Sequence, residues 1–458
     1  MAVKGTLERE VKLQAGEAFA LPDLGGEAIE PRLFVSTYHD TADHRLARRG
    51  VTLRHRLENG RAVWQLKLPR GSARLELEAP GPPGAPPDEL LGLLAGHLRG
   101  ASLGPVARLR TRREGVRVDG AEVVHDSVAV LEHQRVTRSF EELEVELLDG
   151  DEKTLRRLER ALRRAGAGNG ESRPKLLQAL DLDFQPEPEE AEPDASAPGL
   201  LRAALRAQAA RILAHDPGTR LGEDVEELHQ MRVATRRARA FLRAGRDLLD
   251  PAWSELLREE LRWLGGVLGP VRDLDVLLDH LRPAVESLGG DAVEGRKLLR
   301  TLERDRRRAR RPLEQALAGE RYFALLDALE QPAPAVAEEP GLDEIHAAEH
   351  RRLRKAVRAL GDEPPDDELH AARIRVKRAR YAAELRGDEA YVKAAKRLQD
   401  VLGEHQDAVV AEERLRELAA KQPEAALAAG RLIERERERG LQARTEWRDA
   451  WKTLAKTA

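Results

Sequence analysis

The stretch TLEREVKL, Thr6 to Leu13, reads at a strand's period of two, with Glu8, Glu10 and Lys12 on one face and Leu7, Arg9, Val11 and Leu13 on the other. A polar face made of two acids and a base in succession is unusual, and the pattern recurs along the first third of the chain. VTLRHRL sets Thr52, Arg54 and Arg56 against Val51, Leu53, His55 and Leu57, and WQLKL sets Gln65 and Lys67 against Trp64, Leu66 and Leu68. RLELEA groups Arg74, Glu76 and Glu78; RLRTR groups Arg108, Arg110 and Arg112; EELEVEL groups Glu142, Glu144 and Glu146 against Leu143, Val145 and Leu147.

Half-buried strands with one wet face also alternate. Such faces usually mix Thr, Ser, Gln and Lys, whereas these are almost wholly Glu, Arg and Lys, with arginine pairs and glutamate pairs on separate strands. Closed into a barrel with charges inward and apolar faces outward under helices, the strands would give a lumen with opposed basic and acidic walls. That lumen suits a polyanion with a divalent cation: Arg and Lys hold phosphoryl oxygens, and carboxylates at i and i+2 converge on a hard cation.

The chain has 458 residues, which implies two or three domains. It lacks cysteine, which excludes disulfides and thiolate metal sites and fits a reducing compartment. Lys4, Glu8, Arg9 and Glu10 stand in the first ten residues, and no apolar run approaches the roughly 18 residues of a membrane span. A cytoplasmic protein is therefore expected. Charged residues are 35% of the chain while the formal net charge is −3, so any strong field must come from segregation of charge. DFQPEPEEAEPDASAPG, Asp183 to Gly199, is rich in proline and acid and reads as a linker. It separates a strand-rich part, residues 1–183, from an all-helical part, residues 200–458, with 184–199 between them. Pro80 to Pro87 and Gln331 to Gly341 read as loops within those parts. The expected fold is α+β in two domains: an antiparallel β tunnel with outer helices, then an all-α domain of two pseudo-symmetric bundles.

The ExExK run at Glu8, Glu10 and Lys12, followed by STYHDTADHRLARRGVTLRHR and WQLKLPRG, resembles the CYTH family, the triphosphate tunnel metalloenzymes, over nearly all of residues 1–183. The resemblance implies an antiparallel tunnel that hydrolyses inorganic tripolyphosphate or a related triphosphate with Mg²⁺ or Mn²⁺. It assigns the metal side to Glu8, Glu10, Glu78, Asp126, Glu144 and Glu146. It assigns phosphate binding to Lys12, Arg54, Arg56, Lys67 and Arg110 or Arg112, and the catalytic core to Glu8, Glu10 and Lys12. A late family lysine corresponds to Lys175, with Pro174 where the family has serine. Metal-assisted phosphoryl transfer to water needs no histidine or serine nucleophile. His39, His44 and His55 are therefore expected in loops or on the barrel exterior.

The helical part repeats itself. ELHQMRVATRRARAFLR from Glu227 aligns with ELHAARIRVKRARYAAE from Glu368, and VLGPVRD from Val267 with VLGEHQD from Val401, giving halves of about 200–330 and 342–458. His229, Arg232, Arg236, Arg239, Arg243 and Arg246 step by three and four and form one helical stripe, repeated by His370, Arg373, Lys377 and Arg380. No acid interrupts either stripe before Arg246 or Glu384, and like charges at these spacings destabilise a helix unless an anion neutralises them. These residues, with a later Leu-Gly…Asp turn at Leu268-Gly269…Asp273 and Leu402-Gly403…Asp407, resemble the conserved-histidine helical domain, CHAD, from about Leu200 onward. That resemblance implies inorganic polyphosphate on a basic surface between the bundles, with Glu404-His405 shifting its path in the second copy. His229 and His370 could instead cap helices or sit in the core. Aromatic residues are 3% of the chain and do not interleave with the stripes, which argues against nucleic acid. The carboxylate set favours an enzyme over the alternative, a non-catalytic polyphosphate-binding scaffold.

Overall fold

The alternating strands close on themselves. A computed structural model of the chain describes residues 4–15, 19–71, 73–169, 173–182, 196–331, 334 and 341–457, and separates into two units, Met1–Pro186 and Glu187–Ala458. The first unit contains β1 (Lys4–Gln14), β2 (Glu27–Asp40), β3 (Thr52–Glu58), β4 (Arg61–Arg70), β5 (Ala73–Ala79), α1 (Asp88–Leu98), β6 (Gly104–Val118), β7 (Ala121–Glu132), β8 (Arg135–Leu147), α2 (Glu152–Arg164), β9 (Gly168–Asn169) and α3 (Lys175–Leu180).

All pairings are antiparallel, in the order β5-β4-β3-β2-β6-β7-β8-β1. The opening strand closes the ring: Lys4–Glu8 pair with β5, and Arg9–Leu13 pair with β8. The short β9 lies outside the eight-stranded barrel beside Leu13 and Gln14. Leu13, Val145 and Leu147 face outward into a core with Leu155, Leu158 and Leu162 of α2, so the parity that buries these residues turns Glu8, Glu10 and Lys12 into the lumen. The interior is not polar throughout. Leu176 and Leu177 of α3 pack with Tyr38, Leu109 and Val128 in an apolar cluster.

The second unit has nine helices among the described residues: α4 (Ala197–Leu221), α5 (Val225–Ala244), α6 (Pro251–Glu286), α7 (Ala292–Ala318), α8 (Glu320–Glu330), α9 (Leu342–Arg358), α10 (Asp366–Arg386), α11 (Glu389–Lys421) and α12 (Ala426–Ala455). Successive packing of α4 to α7 is repeated by α9 to α12, with α8 the unmatched addition. Leu278, Leu281 and Val285 of α6, Leu298 and Leu302 of α7, Leu415 and Leu418 of α11 and Leu432 of α12 form one shared core. The helical part begins before Leu200, because Ser196 caps α4 by accepting from Gly199 N–H and Pro198 suits the first turn. Most of the linker, residues 183–195, and most of the 331–341 loop lie outside the described residues. The Leu-Gly…Asp segments are not turns: both lie inside long helices, α6 and α11. No helix among the described residues is long and apolar enough to cross a membrane.

Candidate functional site

The barrel encloses a cavity of about 340 Å³. Its basic lining comes from Arg32, Arg54, Arg56, Arg74 and Arg113, its acidic lining from Glu8, Glu10, Glu76, Glu78, Glu122, Glu144 and Glu146, with Lys12, Lys67 and Lys175 set among the acids. Glu8, Glu10 and Lys12 thus share one lumen with Arg54, Arg56, Lys67 and Lys175.

Arg110 and Arg112 do not join them. Both are exposed, Arg112 pairing with Glu114 at 2.6 Å, while Leu109, Thr111 and Arg113 turn inward. The reason is the apolar cluster beneath α3: Leu109 faces the interior there, so the charged parity of RLRTR is the outer one. Arg113, one residue further along, stands opposite Asp126 in register and holds it with two hydrogen bonds of 2.8 and 2.7 Å.

The acids fall into groups by their partners. Asp126, Glu142 and Glu144 are buried, with ligand oxygens within 4.8 Å of one another, as a metal-binding triad requires. Basic side chains already meet them: Lys175 contacts all three, Lys12 reaches Glu142 and Glu144 at 3.0 Å, and Arg113 reaches Glu144 at 2.8 Å. Burial opposes the charge on Lys175, but Glu142, Glu144 and Asp126 outweigh it and hold its pKa well above the usual lysine value. Burial would likewise raise Glu144, yet Lys175, Lys12 and Arg113 keep it well below the usual carboxylate range. Glu8 and Glu76 flank Lys67 at 2.6 and 3.0 Å. Burial, followed by the hydrogen bond that its protonated form donates to Glu76, pushes the Glu8 carboxyl up to about 8.

Glu10 and Glu146 differ. They are register partners across β1 and β8, and Glu146 also faces Glu122 on β7. Burial raises the Glu146 carboxyl, and among the described residues no basic side chain pairs with it; Glu10 has only Arg74 at 3.9 Å. Neighbouring carboxylates without a close cation suit a hard divalent ion.

On the basic side, Arg54 donates to Gln65 Oε1 at 2.7 Å and to Tyr38 Oη at 3.2 Å. Arg56 pairs with Glu58 at 2.5 Å and lies 3.8 Å over the Phe34 ring. His39 and His55 pack against Trp64 on the outward parity, and His44 sits in the β2–β3 connection with φ 58°, so all three are outside the lumen as expected. Reading the sequence missed Glu76 and Glu142 as site residues, although they share parity with Glu78 and Glu144. It also missed Tyr38, Gln65 and Arg113; for Arg113 only the register against Asp126 carries the signal.

In the helical unit, α5 packs on α10. Lys377 sits among Arg373, Arg236, Arg232 and Arg380, and burial together with these charges pushes its ammonium down to about 7. The Nε atoms of Arg236 and Arg373 are buried without an acceptor among the described residues. A Cβ on Gly269 would stand 3.9 Å from Arg232, and one on Gly403 3.2 Å from Arg373, so the paired glycines leave room for both guanidiniums. Arg239 and Arg243 are exposed and have Arg258 of α6 as a charged neighbour, while Arg380 is buried, 3.3 Å from Glu384 and 4.7 Å over Tyr381. His229 and His370 lie in the second turns of their helices, half-buried and exposed respectively, so neither is a cap or a core imidazole. His370 meets Gln406 at 2.8 Å. Glu404 and His405 turn away to Arg439 and Asp366, at 3.2 and 2.9 Å, and do not alter the cluster.

Residues 6–175 match the CYTH domain family and residues 203–416 the CHAD domain family. Two uncharacterized proteins from strains of Mycobacterium tuberculosis are each 33% identical over 455 aligned residues, covering 89% of this chain and 88% of theirs. Among solved structures, PptA from Streptomyces chartreusis is 27% identical with a TM-score of 0.50, covering 56% of this chain and 100% of its own. The CHAD domain from the plant Ricinus communis is 29% identical with a TM-score of 0.47, covering 57% and 92%.

Proposed function

We propose, from the premise that the chain belongs to the CYTH family, the triphosphate tunnel metalloenzymes, in its first unit and to the CHAD family in its second, that the tunnel hydrolyses a triphosphate and the helical domain binds inorganic polyphosphate. The observation that carries the first half is the closed lumen in which Arg54, Arg56 and Arg113 line the same cavity as Glu10 and Glu146. The three guanidiniums and Lys67 would grip the phosphoryl oxygens and neutralise their charge. Glu10 and Glu146 would hold Mg²⁺ or Mn²⁺, with Glu8 as a neighbour on the same strand face. When bound, that ion supplies electrostatic stabilisation of the phosphoryl oxygens. Water would reach the phosphate within the same lumen, whose lining includes Lys175 and Leu176. The water's oxygen would bond to a terminal phosphorus as the bridging P–O bond breaks, one proton staying on the orthophosphate formed and the other passing to the oxygen of the shortened phosphate that leaves.

The second half rests on Arg232, Arg236, Arg373 and Lys377, four cations crowded together with Asp273, 3.2 Å from Arg232, and Asp407 as their nearest acids. A linear polyanion relieves that repulsion. A phosphate-release screen over tripolyphosphate, nucleoside triphosphates and thiamine triphosphate, with Mg²⁺ or Mn²⁺, tests the enzyme reading. Release from at least one substrate is expected; release from none leaves a non-catalytic scaffold.

A further inference from the structure

Lys377 is surrounded by cations. Arg373 and Arg380 lie one turn before and after it on α10, and Arg232 and Arg236 face it from α5, which packs on α10. The acid that faces it is Asp407 of α11, which also faces Arg373 and Arg439. Among the described residues no hydrogen bond or ion pair holds the Lys377 ammonium, whereas carboxylates hold Lys12, Lys67 and Lys175. Lys377 is half-buried, so small molecules in solution can reach it.

Two properties meet at this position. The guanidiniums around it suit a phosphate group, and the Nε atoms of Arg236 and Arg373 are buried without an acceptor among the described residues. Burial and the same positive charges push the ammonium down to about 7, so near neutral pH much of it is the uncharged amine, a nucleophile. The reagent that matches both properties carries its electrophilic carbon on a phosphate leaving group.

We propose that Lys377 is a modification site for acyl phosphates, whose phosphate the surrounding arginines hold while the amine takes the acyl group. The Nζ lone pair bonds to the acyl carbon, and the C–O bond to the phosphate breaks. Orthophosphate leaves with that electron pair and takes up the proton the nitrogen loses, so the product is an uncharged amide. A bound phosphate also favours the charged lysine, and reaction therefore runs through the fraction that stays neutral and quickens as pH rises. The amide removes one of the four crowded cations and so weakens polyphosphate binding. This consequence, unlike the modification, rests on the polyphosphate reading of the helical domain.

The test treats the full chain with acetyl phosphate at about pH 8 and follows each lysine by peptide mass spectrometry. Lys377 should be acetylated about tenfold faster than Lys452, which is exposed and paired with Asp449, because its larger neutral fraction outweighs the weaker nucleophilicity of a less basic amine. Arg236→Ala and added orthophosphate should each slow Lys377 and leave Lys452 unchanged, and orthophosphate carries the test alone should the variant misfold. Acetic anhydride, which has no phosphate to recruit, should acetylate Lys377 at a rate orthophosphate does not alter. A Lys377 that reacts no faster than Lys452, or that orthophosphate does not protect from acetyl phosphate, overturns the proposal. Titration with long-chain polyphosphate reads the consequence: the acetylated wild type should bind about tenfold more weakly, while Lys377→Arg given the same treatment keeps its affinity. Unchanged binding by protein acetylated at Lys377 overturns the consequence, whereas untreated protein that binds no polyphosphate overturns the polyphosphate reading and leaves the modification to its own kinetics.

Discussion

Lysine behaves in opposite ways in the two domains, and the contrast separates two strategies for holding charge. In the barrel, Lys12, Lys67 and Lys175 are buried, yet their pKa values rise, because Glu144, Glu76 and Glu142 stand against them. In the helical domain Lys377 falls to about 7, because burial disfavours its charge and its neighbours Arg373, Arg236 and Arg232, of the same sign, add to the effect where the barrel's acids oppose it. Among the described residues the barrel pairs most of its charges and leaves Glu146 without a basic partner and Glu10 with only Arg74 at 3.9 Å. The α5–α10 cluster leaves its cations for a ligand to neutralise. A buried group without a partner is costly in either setting, so both deficits mark where something should bind.

The sharpest way to break this comparison is at the acid deficit. Glu10→Gln should cut Mg²⁺- or Mn²⁺-dependent phosphate release by roughly 100-fold or more while the fold survives, since it removes a carboxylate with no close ion pair. Wild-type turnover in this variant would move the metal elsewhere. On the helical side, reversing Arg232, Arg236, Arg373 and Lys377 to Glu should abolish binding of long-chain polyphosphate. In the wild type that binding should weaken steeply with salt, as polyanion contacts do. Titration at low and moderate salt reads both effects, and binding indifferent to either would return the stripes to solvated helix faces.

A smaller effect separates structure from catalysis within the barrel. Arg113→Ala takes two hydrogen bonds from Asp126, whose side chain is 0% exposed, and leaves it Lys175 as a basic partner, so it should cost about 1–3 kcal/mol in unfolding experiments. Arg112→Ala, on the outer face, should change stability by less than about 0.5 kcal/mol and leave phosphate release unaltered. The mildest prediction concerns pH. Lys377 is largely neutral above pH 7 in the free protein, and a bound polyanion favours its charged form, so binding takes up a proton there. Polyphosphate affinity should rise roughly tenfold as pH falls from 9 to 7 and then level off, and Lys377→Arg should flatten that profile. Without ligand the sign is the reverse. The folded pKa lies below the unfolded one, so the penalty for charging Lys377 is full below pH 7 and fades as pH rises towards the ordinary lysine value.

The one-dimensional pattern already determined which strands have a charged face, that the chain divides near residue 183, and that the helical part is duplicated. Each of these follows from local periodicity: a barrel wall must alternate, and a helix stripe must step by three and four. Glu8, Glu10, Lys12, Arg54, Arg56 and Lys67 were legible for that reason. Which parity of β6 faces inward was not legible, because RLRTRREG offers arginines on both faces. Only the packing of Leu109 against α3 and the register of Arg113 on Asp126 decide between them. The ion-pair assignments were equally out of reach, since Lys175 meets Asp126, Glu142 and Glu144 across strand separations that no local period encodes. The helical repeat shows the same limit. Two copies of a sequence predict one all-α domain of two pseudo-symmetric bundles, but not which leucines the copies share, and only the packing shows that Leu278 and Leu281 of α6 meet Leu415 and Leu418 of α11 in one core.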